Sequence, residues 1–275
     1  MNRHRSSFKS QHHPSRRGSL SNENNRSRVS KDDGEIVFGK NPIREILRAK
    51  SRKIFEIQLT SEAKKALEGE ELGRLVSDAG IRVSLADTNQ LNRLAAPGAH
   101  HQNIVARVAP YSYASLVDVL AGLSEKALIL VLDCIQDPQN FATLCRTALA
   151  FGVDAVILPK DRSVMVTGTV CKASSGAVEH LKIAQVTNLA RTLEELKEKG
   201  FWIYGTSLTG ESVSLNEIDP APKSAIVLGS EGDGLRSLVA KTCDVLVKIP
   251  MKADFDSLNV AQAGAICLYE FSRPT

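Results

Sequence analysis

The chain has 275 residues, 43% hydrophobic and 24% charged, with a formal net charge of +4 at neutral pH. This composition is ordinary for a globular protein with one large domain or two modest ones. No apolar run approaches the roughly 18 residues that a membrane-spanning helix needs, so no membrane segment is expected.

The basic excess belongs to the N-terminal segment. Residues 1–33 hold eight Lys and Arg against three acidic residues, which leaves 27 basic against 28 acidic residues in the rest of the chain. This segment lacks apolar periodicity and is predicted to be a disordered tail. It suits salt-sensitive contacts with a phosphate backbone, or it is a solvated leader without a partner. It lacks the hydrophobic core of a secretory signal. Its Arg- and Ser-rich composition is compatible with an organellar transit peptide.

The cysteines and histidines favour a reducing compartment and no metal. Cysteines stand at five scattered positions without a Cys-x-x-Cys pair: Cys134, Cys145, Cys171, Cys243 and Cys267. Such an odd set is typical of free, mostly buried thiols, so a cytoplasmic protein is expected. His100 and His101 are the only adjacent histidines beyond the tail, and no metal-ligand spacing appears.

A small α/β unit is predicted over residues 34–108. Asn41 can cap a first helix that has Pro42 at its first position. Residues 61–79 favour one long helix, and Asp87 can cap a short one. Three stretches with alternating apolar residues are predicted strands: KIFEIQLT, IRVSLA and NIVARV.

Residues 109–126 form a predicted linker, because the alternation lapses there. A second unit, residues 127–275, then repeats apolar strands and helices, and its last helix is expected over 257–270. Its predicted strands are LILVL, VDAVILP, FWIYGTS, SAIVLG and VLVKIP. Near-continuous apolar strands that alternate with helices predict an α/β fold with a mostly parallel sheet covered on both faces.

Polar and glycine-rich stretches follow these strands, at the edge where such sheets bind ligands. The glycine-rich GSEGDG (229–234) lacks the Lys-Ser/Thr of a Walker loop, and Glu231 would repel a phosphate. Dinucleotide-binding and classical methyltransferase loops follow the first strand of their unit, whereas this loop comes late. An anion-binding loop and a plain strand-to-helix turn both stay open for it.

Two further segments carry polar side chains at predicted helix starts. Asp137 and Pro138 mark a helix start that leaves Asn140 in the first turn, and Arg146 follows six residues later, about 600° around the helix. The two side chains therefore do not share a face. Asp256 or Ser257 can cap the last helix, whose small residues at 261–265 predict very close packing against the same chain or an identical subunit.

Three of these segments, NFATLCR, VLGSEGDGLR and IPMKADFDSLNVAQA, resemble in this order the signature motifs of the SpoU (TrmH) family of S-adenosylmethionine-dependent RNA 2′-O-ribose methyltransferases. The phrases LPKDRS, VTNLART and HQNIVARV resemble the RlmB-type branch, which methylates a guanosine ribose in 23S rRNA. The resemblance covers about residues 35–273. It implies a SPOUT domain with a deep trefoil knot, an obligate homodimer, and an N-terminal ribosomal-protein-L30e-like domain that holds RNA.

The resemblance also implies roles for single residues. Asn140 and Arg146 match the first motif, Glu231 the acid of the second, and Ser257 and Asn259 the polar pair of the third. Arginine is a poor base, so Arg146 is expected to position the nucleotide and stabilise charge. Glu231 would orient Arg146 or the third-motif loop. Six residues match or adjoin the positions that hold the adenosyl group: Gly229, Ser230, Thr206, Ile249, Met251 and Leu258.

Ala142 and Ala261 depart from the family pattern, which usually has glycine and serine there. Ala261 lacks a hydroxyl, so no proton path through this position is assigned. Other functions left open are 2′-O-methylation of tRNA or of an antibiotic-target rRNA site. A non-catalytic ribosome-assembly factor and a small-molecule nucleotide-binding enzyme that uses GSEGDG are two further possibilities.

Deletion of residues 1–33 tests the role of the tail. We expect lower RNA affinity at low salt, because eight cationic side chains are removed, with little change in the melting temperature. Filter binding at several salt concentrations and thermal unfolding measure the two quantities. A large drop in stability would show that the tail is part of the fold.

Overall fold

The computed structural model describes residues 34–95, 97–208, 211–230, 232–252 and 258–273. The chain from Gly34 onward forms one compact unit that contains two β-sheets. None of the described helices is long and apolar enough to cross a membrane.

The first sheet has four strands in the order β1-β4-β2-β3. β4 pairs antiparallel with β1 and β2, and β3 pairs parallel with β2. The elements are β1 (Glu35–Phe38), α1 (Lys40–Ala49), β2 (Ile54–Leu59), α2 (Ser61–Leu67), α3 (Glu71–Asp78), β3 (Val83–Leu85), α4 (Thr88–Leu94) and β4 (Ile104–Val108). The predicted α/β character and its three strands are confirmed, and β1 adds a strand that the sequence did not predict.

Two predicted helix boundaries in this unit are wrong. The residue that precedes α1 is Gly39, not Asn41. The chain enters the helix with a φ of 92° at this position, which glycine tolerates. Asn41 lies inside the helix and accepts a hydrogen bond from Arg44. The single helix expected over 61–79 is divided into α2 and α3, since Gly69 has a φ of 87° that no helix accommodates. The Asp87 cap is confirmed, with a capping box to Gln90.

The second sheet has seven strands in the order β7-β6-β5-β10-β8-β11-β9, and every pairing is parallel. The strands are β5 (Ala127–Leu132), β6 (Ala155–Pro159), β7 (Ile183–Val186), β8 (Trp202–Thr206), β9 (Val213–Ser214), β10 (Lys223–Leu228) and β11 (Val245–Lys248). The helices are α5 (Leu116–Ala121), α6 (Pro138–Ala150), α7 (Gly168–Ala173), α8 (Leu189–Glu198), α9 (Ser237–Thr242) and α10 (Val260–Ser272).

Both faces of this sheet are buried, as predicted. Successive side chains of a strand point to opposite faces. Leu130 and Leu132 therefore join the core beneath α6 and α10, whereas Ile129 and Val131 join a separate core beneath α5 and α8.

The last helix starts later than predicted and packs as closely as its small residues suggest. α10 begins at Val260, and Asn259 caps it by accepting a hydrogen bond from the backbone N–H of Ala261. Asp256 and Ser257, the predicted caps, lie outside the described residues. A side chain at Gly264 would collide with Leu144 of α6 and Leu228 of β10. The close packing is therefore made within the chain itself.

The predicted linker is packed against the second sheet. The hydroxyl of Tyr111 donates to the carbonyl of Val178 at 3.2 Å, and the hydroxyl of Tyr113 accepts from the backbone of Val166 at 2.9 Å. Ala114 forms a parallel bridge with Ala184 of β7. These hydrogen bonds fix the segment. It lacks the alternation of apolar residues because its tyrosines anchor it, and it is not a free linker.

A buried ion pair joins the two sheets. Arg52, just before β2, pairs with Glu179, which lies in the 3₁₀ turn Ala177–His180 before β7. The exposed fractions of the two side chains are 2% and 0%. Glu35 lies 2.9 Å from the guanidinium, and Ser51 donates to Glu179 at 2.7 Å. Burial lowers the pKa of Arg52, but the charge of Glu179, the nearby Cys171 and the hydrogen bonds to both together outweigh this effect, and the net pKa is raised.

The substitution Arg52→Met tests this junction. It leaves Glu179 buried without its cation, so we expect the free energy of unfolding to fall by about 3–5 kcal/mol. Urea denaturation measures the change, with Arg191→Met as the control. Arg191 is 79% exposed in its pair with Glu195, and its loss should cost less than about 1 kcal/mol. Equal stabilities of the two variants would contradict the assigned importance of the buried pair.

Candidate functional site

The strand order of the large sheet creates a crevice between β5 and β10. From β5 the chain proceeds through β6 to β7 on one side, whereas β10, β8 and β11 lie on the other. Ligands of parallel sheets bind where the order reverses in this way, beyond the carboxyl ends of the strands. A cavity of about 460 Å³ occupies this position, and residues that follow β5, β6 and β10 line it.

Asn140 lies in this cavity and is joined to Asn259. The carboxylate of Asp137 caps α6 by accepting from the backbone N–H of Asn140 at 2.7 Å, which confirms the predicted helix start. The side-chain amide of Asn259 donates to the side-chain oxygen of Asn140 at 3.0 Å. Because Asn259 also caps α10, the first turns of two helices hold these amides together at the crevice.

Arg146 lies elsewhere. It is exposed beside a second cavity of about 410 Å³, whose lining includes Glu45, Ser174 and His180. Within the part of the chain that the structure describes, it makes no hydrogen bond or ion pair. The six-residue spacing along α6 is the reason, because it turns Arg146 away from Asn140. Glu231, its proposed partner, and Ser257 lie outside the described residues.

The residues proposed for the adenosyl group come from three adjacent strands, β10, β8 and β11. Gly229 and Ser230 follow β10, Thr206 ends β8, and Ile249 and Met251 follow β11. Leu258 is half-buried just before α10. The hydroxyl of Thr206 donates to the carbonyl of Val227 at 3.2 Å, which fixes its position between two of these strands. The structure thus places five of the six residues at one edge of the sheet.

The loop after β10 requires glycine. A side chain at the buried Gly229 would collide with the backbone of Gly234 and Leu235. Ser230 and Gly234 exchange backbone hydrogen bonds of 3.0 and 3.1 Å, so the loop folds back on itself. Ile249 and Met251 follow β11 at the same edge of the sheet, and Met251 is 36% exposed. Apolar side chains and backbone donors and acceptors at one sheet edge fit an adenosyl group, whose purine has flat apolar faces and polar edges.

An ion pair that the sequence did not predict lies at the same cavity. Asp133, directly after β5, has a side chain with no exposed surface. It accepts from the backbone N–H of Arg236 at 2.9 Å and from its Nε at 2.7 Å. A charged residue at the end of an apolar strand, together with the arginine that ends GSEGDGLR, was the available signal. Cys134 follows with a φ of 61°, and burial raises the pKa of its thiol.

The two departures from the family pattern lie in the core. Ala142 is fully buried and Ala261 is 4% exposed. Among the residues that the structure describes, no three His, Cys, Asp or Glu side chains are grouped so that they could hold a metal ion.

Residues 127–269 match the model of the SpoU rRNA Methylase family, and residues 36–114 match the model described as RNA 2′-O ribose methyltransferase substrate binding. A Bacillus subtilis (strain 168) protein named as a TrmH family tRNA/rRNA methyltransferase, YacO, is 38% identical over 87% of this chain and 95% of its own. A Staphylococcus aureus (strain MSSA476) protein with the same family name is 39% identical over 86% and 95%.

Solved structures agree with this match. A TrmH-family RNA methyltransferase structure from Porphyromonas gingivalis superposes with a TM-score of 0.68 at 26% identity, over 87% of this chain and 89% of its own. AviRb from Streptomyces viridochromogenes, solved in complex with AdoMet, has a TM-score of 0.72 at 20% identity over the same shares, which shows the common fold. Since the family model spans more than half of the chain and the relatives match over nearly their full length, this protein belongs to the SpoU (TrmH) family of RNA methyltransferases.

Proposed function

We propose that the protein transfers a methyl group from S-adenosylmethionine to the 2′-hydroxyl of a ribose in RNA, with a guanosine of 23S rRNA as the target. The observation that carries this proposal is the Asn140–Asn259 pair at the crevice, beside the glycine loop that begins at Gly229. The substrate-binding match over residues 36–114 supports RNA as the acceptor, and the RlmB-like phrases support the guanosine.

The cofactor assignment is supported by the AdoMet that the AviRb structure contains and by the fit of the glycine loop. Gly229, Ser230 and Thr206 would hold the polar parts of the adenosyl group, and Ile249, Met251 and Leu258 its apolar faces. S-adenosylmethionine supplies an electrophilic methyl group on a sulfonium. Displacement from a sulfonium needs no metal, so the geometry that the protein imposes carries most of the rate.

Asn140 and Asn259 are assigned to orient the acceptor ribose. Their mutual hydrogen bond and their positions at helix starts fix both amides, and fixed groups lose little entropy when substrate binds. Arg146 is assigned to position the nucleotide and to stabilise its charge, because a guanidinium stays protonated and cannot accept the hydroxyl proton. Glu231 and Ser257 keep the roles that the family motifs imply.

We further propose that the active form is a homodimer. Exposed apolar side chains stand on the two adjacent helices α6 and α10: Leu149 at 40%, Ile266 at 41% and Tyr269 at 57%. Arg146 is on the same helix as Leu149 and apart from Asn140 in its own chain. A second copy that covers this face would bury it and bring Arg146 of one protomer toward the Asn140 site of its partner. We also propose that this homodimer is located in the cytoplasm.

Transfer of labelled methyl from S-adenosylmethionine to rRNA tests the activity. We expect the Asn140→Ala and Arg146→Ala variants to lose about 100-fold in rate, because both misplace the acceptor. Lys199→Ala, which removes a charge at the opposite edge of the sheet, should act like the wild type. An Arg146→Ala variant of full activity would remove its assigned role. Because relatives are named tRNA/rRNA methyltransferases, tRNA is assayed in parallel, and positions resistant to alkali in cellular rRNA locate the target.

Mixing two inactive variants tests the shared site. If Arg146 serves the partner's site, equal amounts of Asn140→Ala and Arg146→Ala protomers should regain about one quarter of wild-type activity, because each mixed dimer has one intact site. If each site lies within one chain, the mixture stays inactive. Sedimentation of the wild type checks that a dimer forms.

A further inference from the structure

We propose that the cavity between β5 and β10 binds the base of the methyl-accepting nucleotide, and that Arg236 selects guanine there. This inference rests on the proposed function, since it assigns the acceptor nucleotide to the cavity that Asn140 lines. It adds to that function the group that distinguishes one base from another.

Arg236 is held in one orientation by a buried carboxylate. The carboxylate of Asp133 accepts hydrogen bonds from the backbone N–H and from the Nε of Arg236, and the Asp133 side chain is fully buried. The Arg236 side chain as a whole is 45% exposed, and within the described part of the chain its two Nη groups have no hydrogen-bond partner. A fixed guanidinium with two outward donors is suited to an acceptor that offers two atoms in a plane.

The charges around the cavity favour a base over a phosphate. Arg162 and Arg236 line it, but so do Asp137 and Asp233, and Asp133 lies directly behind Arg236. Among the described residues, three carboxylates against two guanidiniums leave no net positive charge that would attract a phosphate. A neutral base with an acceptor edge has no such requirement.

The remaining walls suit the faces of a base. Ile135, Leu235 and Val260 line the same cavity with apolar side chains. RNA-binding proteins commonly hold an unstacked base between such surfaces and bind its edge through polar groups. The volume of about 460 Å³ lies in the usual range for a small ligand site.

Guanine is the base whose edge matches Arg236. Its O6 and N7 are adjacent acceptors that an arginine contacts with two hydrogen bonds. Adenine presents an amino group in place of O6, which would face the donors of Arg236, and pyrimidines lack N7. Asp133 is then a positioning residue, because it acts on the base only through Arg236.

Base analogues in a short RNA around the mapped target test the inference without any mutation. We expect the wild type to prefer guanosine over 7-deazaguanosine and over adenosine by about 10- to 100-fold in kcat/KM, because each analogue loses or opposes a contact to Arg236. Inosine keeps O6 and N7 and should be used nearly as well as guanosine. Fluorescence anisotropy of the same RNAs measures the preference in binding, independently of methyl transfer.

Variants assign the preference to Arg236. Arg236→Ala should reduce the use of guanosine and bring the ratio between guanosine and 7-deazaguanosine close to one. Because this change leaves Asp133 buried without its cation, the double variant Asp133→Asn/Arg236→Ala provides a neutral background with the same expected ratio. Lys197→Ala is the control, since Lys197 is also a cation paired with an acid, Asp244, but at the opposite edge of the sheet.

Three results would overturn the inference. The first is equal use of guanosine and 7-deazaguanosine by the wild type, and the second is a mapped target other than guanosine. The third is a loss in Arg236→Ala that is the same for all bases and lowers the salt dependence of RNA binding by about one phosphate contact, which would assign Arg236 to the backbone. Absence of methyl transfer by the wild type to any RNA would instead overturn the proposed function, and the anisotropy measurements would still decide the base preference.

Discussion

The parallel pairing of β5 with β10 is the constraint on which the site depends. These strands are far apart in sequence, yet six residues of each pair in register, from Ala127 with Lys223 to Leu132 with Leu228. Because both strands end at the same edge, the loops that follow them face each other across one crevice. The glycine loop, the start of α6 and the cavity between them are all consequences of this one pairing.

The last helix completes the crevice from the side. Gly264 allows α10 to approach Leu144 of α6 so closely that the capping residue of α10, Asn259, reaches Asn140. A larger residue at Gly264 would require the side chains of Leu144 and Leu228 to shift. The same close approach explains why small residues recur through the first turns of α10.

Two ion pairs with a buried carboxylate fix the orientation of parts that hydrophobic packing alone would leave free to shift. Arg52 and Glu179 fix the small sheet on the large one, and Asp133 fixes the orientation of Arg236 at the cavity. Burying charges costs solvation energy, and the pairing recovers it only when the geometry is good. Such pairs contribute orientation more than stability, which is what a protein that must present RNA to a reactive centre requires.

The sequence by itself determined the parallel α/β architecture, the caps at Asp87 and Asp137, and the segments that meet at the carboxyl edge, because apolar periodicity and capping are local properties. The sequence also indicated the family through three short motifs in a fixed order. The trefoil knot that the family implies stays a prediction. The six-residue spacing already separated Arg146 from Asn140, but only the tertiary structure decided that Asn140 meets Asn259 and which cavity Arg146 faces, since strand order and helix packing are long-range. The Gly39 start of α1, the break at Gly69 and the Asp133–Arg236 pair escaped sequence analysis for the same reason. Each depends on a partner or a backbone angle that adjacent residues do not specify.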